Sequence, residues 1–471
     1  MILSIAKKEL TSALRDGRVM WSAAIFAVML IASLGSAAQR YADISSERAA
    51  AQEIVNAQWQ NQGEKNPHAA AHYGVYAFKA VTPLSFFDTG VSSFTGVSIW
   101  LEAHKQNMAE GEPARDATAI ARFGELTGAF TLQMLLPLLV ILLAFASFAG
   151  EREQGTLRQV LAMGVSPIRL YFGKALGAAT AAGLFVIPVF VLGLIGLLLV
   201  PGGVAFLGHA LVVVAVYIVY AAIFLFLTLA VSAAADSSRT ALVVMVAFWA
   251  VSSVALPKAA ADASRLIYDT PTSVAFQKAI AADLENGMGG KSLDAIVAER
   301  KEQMLKLYKV DSIEKMPINF QGVVLGLQEQ LSNAVFDKNY GQLYAALNQQ
   351  KGVFETFSVL SPRLAVQMAS MELSETSLGN HIAFTAQAET YRRNMIDTMN
   401  KAMTMNSTGA NPEYRAGPEL WAKVGVFDYT HPPLTQLLSV LGPSFMVMFL
   451  WLAASIVAGL LAARKLKALA A

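Results

Sequence analysis

Six stretches of this chain are apolar, uncharged and at least about 18 residues long, which is what an α-helix needs to cross roughly 30 Å of hydrocarbon. They run over 19–38, 129–149, 175–200, 204–231, 240–257 and 443–463, and none contains Asp, Glu, Lys or Arg. Across the chain 55% of residues are apolar and 15% charged, against roughly 45–50% and about 25% in ordinary soluble domains. Because the apolar residues are gathered into runs, a row of separate soluble cores is excluded. Cysteine is absent, which removes disulfide scaffolds, thiolate metal sites and cysteine nucleophiles. A net charge of +2 gives no polyanion-seeking surface, so nucleic acid is not an expected partner.

The first stretch is longer than the 7 to 15 apolar residues of a secretory signal, so it reads as a retained anchor although Ser36, Ala37 and Ala38 imitate a cleavage site. Lys and Arg set the orientation. With the N-terminus inside, the inner segments 1–18, 150–174, 232–239 and 464–471 carry Lys7, Lys8, Arg15, Arg18, Arg152, Arg158, Arg169, Lys174, Arg239, Arg464, Lys465 and Lys467. That density is about twice that of the outer segments 39–128 and 258–433, whose length lets them cross whatever their charge. Both termini are expected in the cytoplasm.

Residues 1–18 hold an amphipathic helix. Ile2, Ala6 and Leu10 recur every four residues on its apolar face, with Lys7 and Lys8 opposite, so it is expected in the membrane interface with its lysines toward anionic headgroups. The outer segments 39–128 and 258–433 are rich in Ala, Glu and Gln near 41–62, 272–286, 291–308 and 377–405 and lack sustained alternation. Helical structure is expected there and a sheet is not. Residues 85–100, rich in aromatics, suit either the outer headgroups or a buried loop. Residues 434–441 are apolar but too short to cross, and Gly442-Pro443 breaks them from the last span, as in a half-helix or a kinked long span. The expected fold is an all-α membrane protein of six transmembrane helices with a large helical extracytoplasmic domain.

The most informative stretch follows the second span. Glu151, Arg152, Glu153, Gly155, Thr156, Leu157, Val160 and Leu161 precede Gly164, placed to end a helix, and Ser166-Pro167, placed to begin one. A short cytoplasmic helix, a turn and a second helix leading into the third span are expected. Leu157, Val160 and Leu161 would offer an apolar patch to a partner; a solvated loop whose charges only enforce topology is the competing reading. The Glu-Arg-Glu-x-Gly-Thr-Leu run, Ser166-Pro167 and Gly173-Lys174 resemble the coupling-helix region of ATP-binding-cassette type-2 permeases. The six spans and the amphipathic start agree with that family. Ser361-Pro362-Arg363, residues 381–384 and Glu389-Thr390-Tyr391-Arg392-Arg393 resemble a subgroup with enlarged outer regions. The resemblance implies a permease in a bacterial inner membrane, docked through 151–161 on two separate ABC ATPase subunits and paired with a second permease subunit, identical or related. ATP would be bound by the partner, with no cofactor in this chain.

Other motifs are weaker. The run 286–292 ends like a phosphate loop, but Glu285 stands where its first glycine belongs. No coupling carboxylate or other ionisable group is expected inside the spans, which favours an external motor over an ion gradient. Met395, Met399, Met403 and Met405 suggest either core packing or Cu(I) handling. His68 and His72 have two-ligand spacing but no evident third ligand, so no metal site is assigned. Hydrolase motifs are absent. The expected function is an exporter permease, not an enzyme; the alternative is an extracytoplasmic scaffold with its own partner, or a copper-handling component.

Overall fold

The computed structural model describes residues 1–116, 126–287 and 290–466. Helix α1 (Ile2–Arg15) ends at Asp16, whose carboxylate accepts from the Arg18 N–H and starts α2. Helix α2 (Gly17–Gln60) runs 44 residues without a break. The first span and the helix expected over 41–62 are therefore one element, since no Gly or Pro interrupts the chain between Gly35 and Gly63. Helix α3 (Pro67–Tyr73) leads into strands β1 (Val75–Phe78), β2 (Ser98–Glu102) and β3 (Lys105–Gln106), an antiparallel sheet in which Val75 faces Leu101 and Phe78 faces Ser98. This corrects the expectation of no sheet. Val75, Ala77, Ile99 and Leu101 do alternate inward, but over four or five residues, too few to stand out in a periodicity window.

Helix α4 (Pro113–Asp116) precedes α5 (Gly128–Ala144), whose first turn is capped by Thr127. Then come α6 (Ala149–Glu153), α7 (Thr156–Ala162), α8 (Pro167–Leu199), α9 (Leu207–Ala234) and α10 (Ser238–Ala250). One π turn, Val251–Ala255, joins α10 to α11 (Leu256–Ile267), so the fifth span continues beyond its sequence-expected end. Helices α12 (Ser273–Asn286), α13 (Leu293–Tyr308), α14 (Phe320–Ser358), α15 (Pro362–Leu373), α16 (Leu378–Asn406) and α17 (Pro418–Val424) follow. A short α18 (Leu434–Val440) is separated by Leu441 from α19 (Gly442–Lys465).

Among the described residues six helices are long and apolar enough to cross a membrane: α2, α5 with α6, α8, α9, α10 with α11, and α19. The apolar window of the second is 56% buried and that of α9 44%, against 28% or less for the other four, so α5 and α9 form the centre of the bundle. Leu157, Leu161, Leu170, Ala463 and Leu466 share one core cluster, which gathers α7, the start of α8 and the end of α19 at one end of the bundle, the elbow end. The opposite end carries a domain built from described residues of 61–116 and 268–433, α15 apart. Trp59, at the tip of α2, donates to the Trp421 carbonyl at 3.0 Å and Trp421 donates to the Gly63 carbonyl at 3.1 Å. Ala70, Val75, Ile99, Phe384, Met395 and Met399 share a core with them, so the two outer segments are one folded unit.

Helix α15, expected within that outer domain, packs instead among the spans. Ala365, Val366, Ala369 and Leu373 are fully buried in the bundle core, and Ser370 accepts from Tyr217, which in turn accepts from Gln133, both at 3.1 Å. Ser361 and Arg363 donate to the carbonyls of Ser252 and Ser253 in the π turn. A π turn leaves backbone carbonyls without their regular helical donors, and the Ser-Pro-Arg run supplies replacements.

Candidate coupling site

The elbow between α5 and α8 is made by two glycines and a proline. Gly155 (φ 71°) turns α6 into α7 and Gly164 (φ 80°) ends α7, both in the left-handed region that glycine adopts without a Cβ clash. Pro167 occupies the first turn of α8 with Ser166 at the cap position. The Ser166 side chain makes no capping bond, so the serine marks the helix start by backbone conformation alone.

Of the charged residues of the elbow, Glu151, Arg152 and Glu153 are engaged with other elements, whereas Arg158 is exposed. Lys174 on α8 is 1% exposed, with its Nζ 2.8 Å from a Glu9 oxygen and 3.0 Å from a Glu151 oxygen; Lys8 pairs with the same Glu151. The Lys174 ammonium also lies 5.3 Å from the centre of the Phe148 ring, within cation–π range. Gly173 and Gly177 make room for this arrangement. A Cβ on Gly173 would sit 2.7 Å from Ile5 and one on Gly177 2.6 Å from the Glu9 Cβ, so only glycine lets α1 lie this close to α8. Partial burial works against the charge on Lys8, but the hydrogen bond and charge of Glu151 outweigh it and raise its pKa.

Arg152 donates to the Ala233 carbonyl at 2.7 Å and to that of Ala235, covering the C-terminal carbonyls of α9. Glu153 accepts from the Ser238 N–H at 3.1 Å and the Ser238 hydroxyl at 2.6 Å at the start of α10. Each charge meets the helix end whose dipole it complements. Thr156 donates to the Glu151 carbonyl at 3.2 Å, closing the elbow on itself.

One expectation is corrected here. Leu157 and Leu161 are 2% and 5% exposed and belong to the bundle core, with Val160 packed half-buried against it, so they do not form an outward apolar patch. The reason is periodicity: α7 has only two turns, and the face that includes Leu157 and Leu161 is the one the spans cover. The outward surface is Gln154, Arg158, Gln159 and Met163, with Met163 74% exposed. On α1, Ala6 is buried and Leu10 half-buried, while Ile2, Lys7 and Lys8 are exposed. Lys8 reaches Glu151 with its side chain 62% exposed.

The remaining sequence candidates fall elsewhere. Met395, Met399 and Met403 are buried, Met395 and Met399 in the outer-domain core, and only Met405 is exposed, so the stripe is packing material and the copper reading loses its ligands. In the phosphate-loop-like run, positions 288 and 289 lie outside the described residues, as does Lys467. The expectation of spans without an ionisable group passed over His209. It sits near the domain end of α9, 7% exposed, its ring 5.2 Å from that of Phe206. His68 and His72 gain a neighbour that spacing did not reveal, His104 of the β2–β3 turn.

A bundle of six apolar helices, with the elbow at one end and a folded unit at the other, defines a multi-pass membrane protein. Residues 105–257, which contain the elbow, the second to fourth spans and the first part of the fifth, match the model of the ABC-2 family transporter protein. The chain is therefore a transport permease component carrying an ABC-2 permease region. Residues 273–430 match a domain of unknown function (DUF3526), which covers α12 to α17 including the bundle-inserted α15. No curated protein matches the sequence.

Proposed function

We propose that the chain is the membrane-spanning half of an ATP-driven exporter, moved by separate ABC ATPase subunits that grip the α6–α7 elbow from the cytoplasm. Two ATPases and two permease chains, identical or related, make the working unit in a bacterial inner membrane. ATP binding closes the ATPase pair, the elbow is displaced, and the spans rearrange. The observation that carries this reading is the anchoring of the elbow. Glu151 ties it to α1 and α8, Arg152 to α9, Glu153 to α10, and Leu157 with Leu161 to the core. A load on the exposed strip of Arg158 and Met163 therefore reaches four elements at once through Glu151, Arg152 and Glu153. The lysine and arginine bias of the same end supports its cytoplasmic placement.

The test is co-isolation of the ATPase with the detergent-solubilised chain. Because Glu151 and Leu157 support the fold, the informative variant is Arg158→Glu combined with Met163→Asp on the exposed strip. Loss of about 10-fold or more in ATPase recovery is expected, with an unchanged melting temperature of the permease alone. Recovery equal to that of the parent chain overturns the proposal.

A further inference from the structure

We propose that His68, His72 and His104 form a three-histidine site for a divalent transition-metal ion, of which Zn2+ is the type, on the outer domain. The inference is independent of the ATPase reading, since it concerns a different end of the molecule and a different chemistry.

Pro67 opens α3, and Asn66 caps it by accepting from the His68 N–H at 2.8 Å. The i, i+4 spacing then puts His68 and His72 on one face, with their Nε2 atoms 3.2 Å apart. Two imidazole nitrogens bound tetrahedrally at about 2.0–2.1 Å from one ion stand about 3.3 Å apart, so this pair is already set for chelation. The third ring comes from the two-residue turn between β2 and β3. One ligand atom from each of the three histidines lies within 4.8 Å of the others, and the ring centres are 4.6 to 5.3 Å apart.

His104 holds the turn in a left-handed conformation. Its φ is 63°, a region that among residues with a Cβ is taken mainly by Asn, Asp and His. The turn is pinned to α3 by the Ala103 N–H donating to the Ala71 carbonyl at 3.2 Å. The His104 ring is oriented from behind. Its Nδ1 lies 2.7 Å from Glu329, whose other oxygen accepts from Arg392 at 3.2 Å. Arg392 is fully buried and is itself fixed by both Glu389 oxygens at 2.8 Å. The Glu329 oxygen beside Nδ1 also accepts from the His104 backbone N–H, and a carboxylate placed beside a ring nitrogen is the arrangement that supports metal-bound histidines elsewhere.

Three imidazole nitrogens without thiolate or thioether suit Zn2+, Cu2+, Ni2+ or Co2+ rather than Cu(I) or Ca2+. His72 is exposed while His68 and His104 are half-buried, so the ion would sit at the rim with a fourth position open to water or to a group brought by a partner. Because Glu329 belongs to α14 and the histidines to the first outer segment, the ion would also tie the two outer segments together.

The test uses the full chain in detergent, any histidine tag removed, stripped with a chelator and titrated with Zn2+ by calorimetry in the absence of nucleotide. One ion per chain is expected, together with the absorption of four-coordinate Co2+ when cobalt is used. His72→Ala, which alters an exposed side chain, and His104→Asn, which suits the left-handed turn, should each weaken binding about 100-fold or more. Glu329→Gln should weaken it about 10- to 100-fold. Metal-free melting curves of the two histidine variants like that of the parent show that the fold is intact. Absence of stoichiometric binding of Zn2+, Cu2+, Ni2+ and Co2+ by the parent, or parent-like affinity in both histidine variants, overturns the proposal. Neither result bears on ATPase capture by the elbow.

Discussion

Replacing Lys174 with Met removes the one buried cation between α1, α8 and the elbow. The side chain is 1% exposed and contacts two carboxylates, Glu9 at 2.8 Å and Glu151 at 3.0 Å, each mostly buried. Met fills similar volume, so the loss is electrostatic. Two like charges are left facing each other, with Lys8, 62% exposed, as their remaining cation. Deleting one partner of a buried ion pair destabilises by about 3–5 kcal/mol, because the charge left behind is neither solvated nor paired. Lys8→Ala removes an exposed partner of the same glutamates and should cost no more than about 1 kcal/mol after solvent screening. The assay is reversible unfolding of the purified chain in mixed micelles, followed by tryptophan fluorescence. Adding Glu151→Gln to Lys174→Met removes one of the two stranded charges. The pair should then be less destabilised than the sum of its single variants by about 1–3 kcal/mol. Equal losses below about 1 kcal/mol for Lys174→Met and Lys8→Ala, with additive double variants, would refute the view that this cluster latches the elbow to the bundle.

Further outcomes follow from the packing and the titratable groups. Gly459→Ala would place a Cβ 1.9 Å from the hydroxyl of Tyr171, which is wholly buried and hydrogen-bonded to the Phe226 carbonyl; a loss of at least about 1–3 kcal/mol is expected. Gly196→Ala meets nothing within 4 Å and should be neutral or stabilising by about 0.5–1 kcal/mol in the same unfolding assay. Met399→Ala, at a fully buried outer-domain position, should cost about 2–5 kcal/mol, whereas Met395→Leu should cost less than about 1.5 and leave Cu(I) binding unaltered. The hydrogen bond from Glu375 raises the His431 pKa above its ordinary value, with partial burial opposing it. The protonated ring therefore stabilises the fold below about pH 6.5, and that contribution is lost as pH rises through the raised value. His431→Gln should melt below the parent at about pH 5.5 and level with it at about pH 9, and a deficit independent of pH would contradict the pairing.

The features legible in the sequence are those that depend on neighbours along the chain. The six apolar helices follow from runs of uncharged residues, because desolvating a charge in hydrocarbon is prohibitive wherever the helix packs. The amphipathic α1 follows from Ile2, Ala6 and Leu10, and the elbow from Gly155, Gly164 and Pro167, whose backbone preferences act locally. Contacts between distant segments were not legible. Nothing near Lys174 announces that Glu9 and Glu151 will surround it, and a two-turn helix does not say which side of Leu157 the spans will cover. The insertion of α15 into the bundle, its Ser361 and Arg363 capturing the carbonyls of a π turn 109 and 110 residues earlier, is likewise a tertiary decision. So is the arrival of His104 beside His68 and His72 through a strand pair too short to register as periodicity. Solvation and backbone preference are properties of a residue and its immediate neighbours, whereas pairing of charges and rings depends on which surfaces the folded chain brings into register.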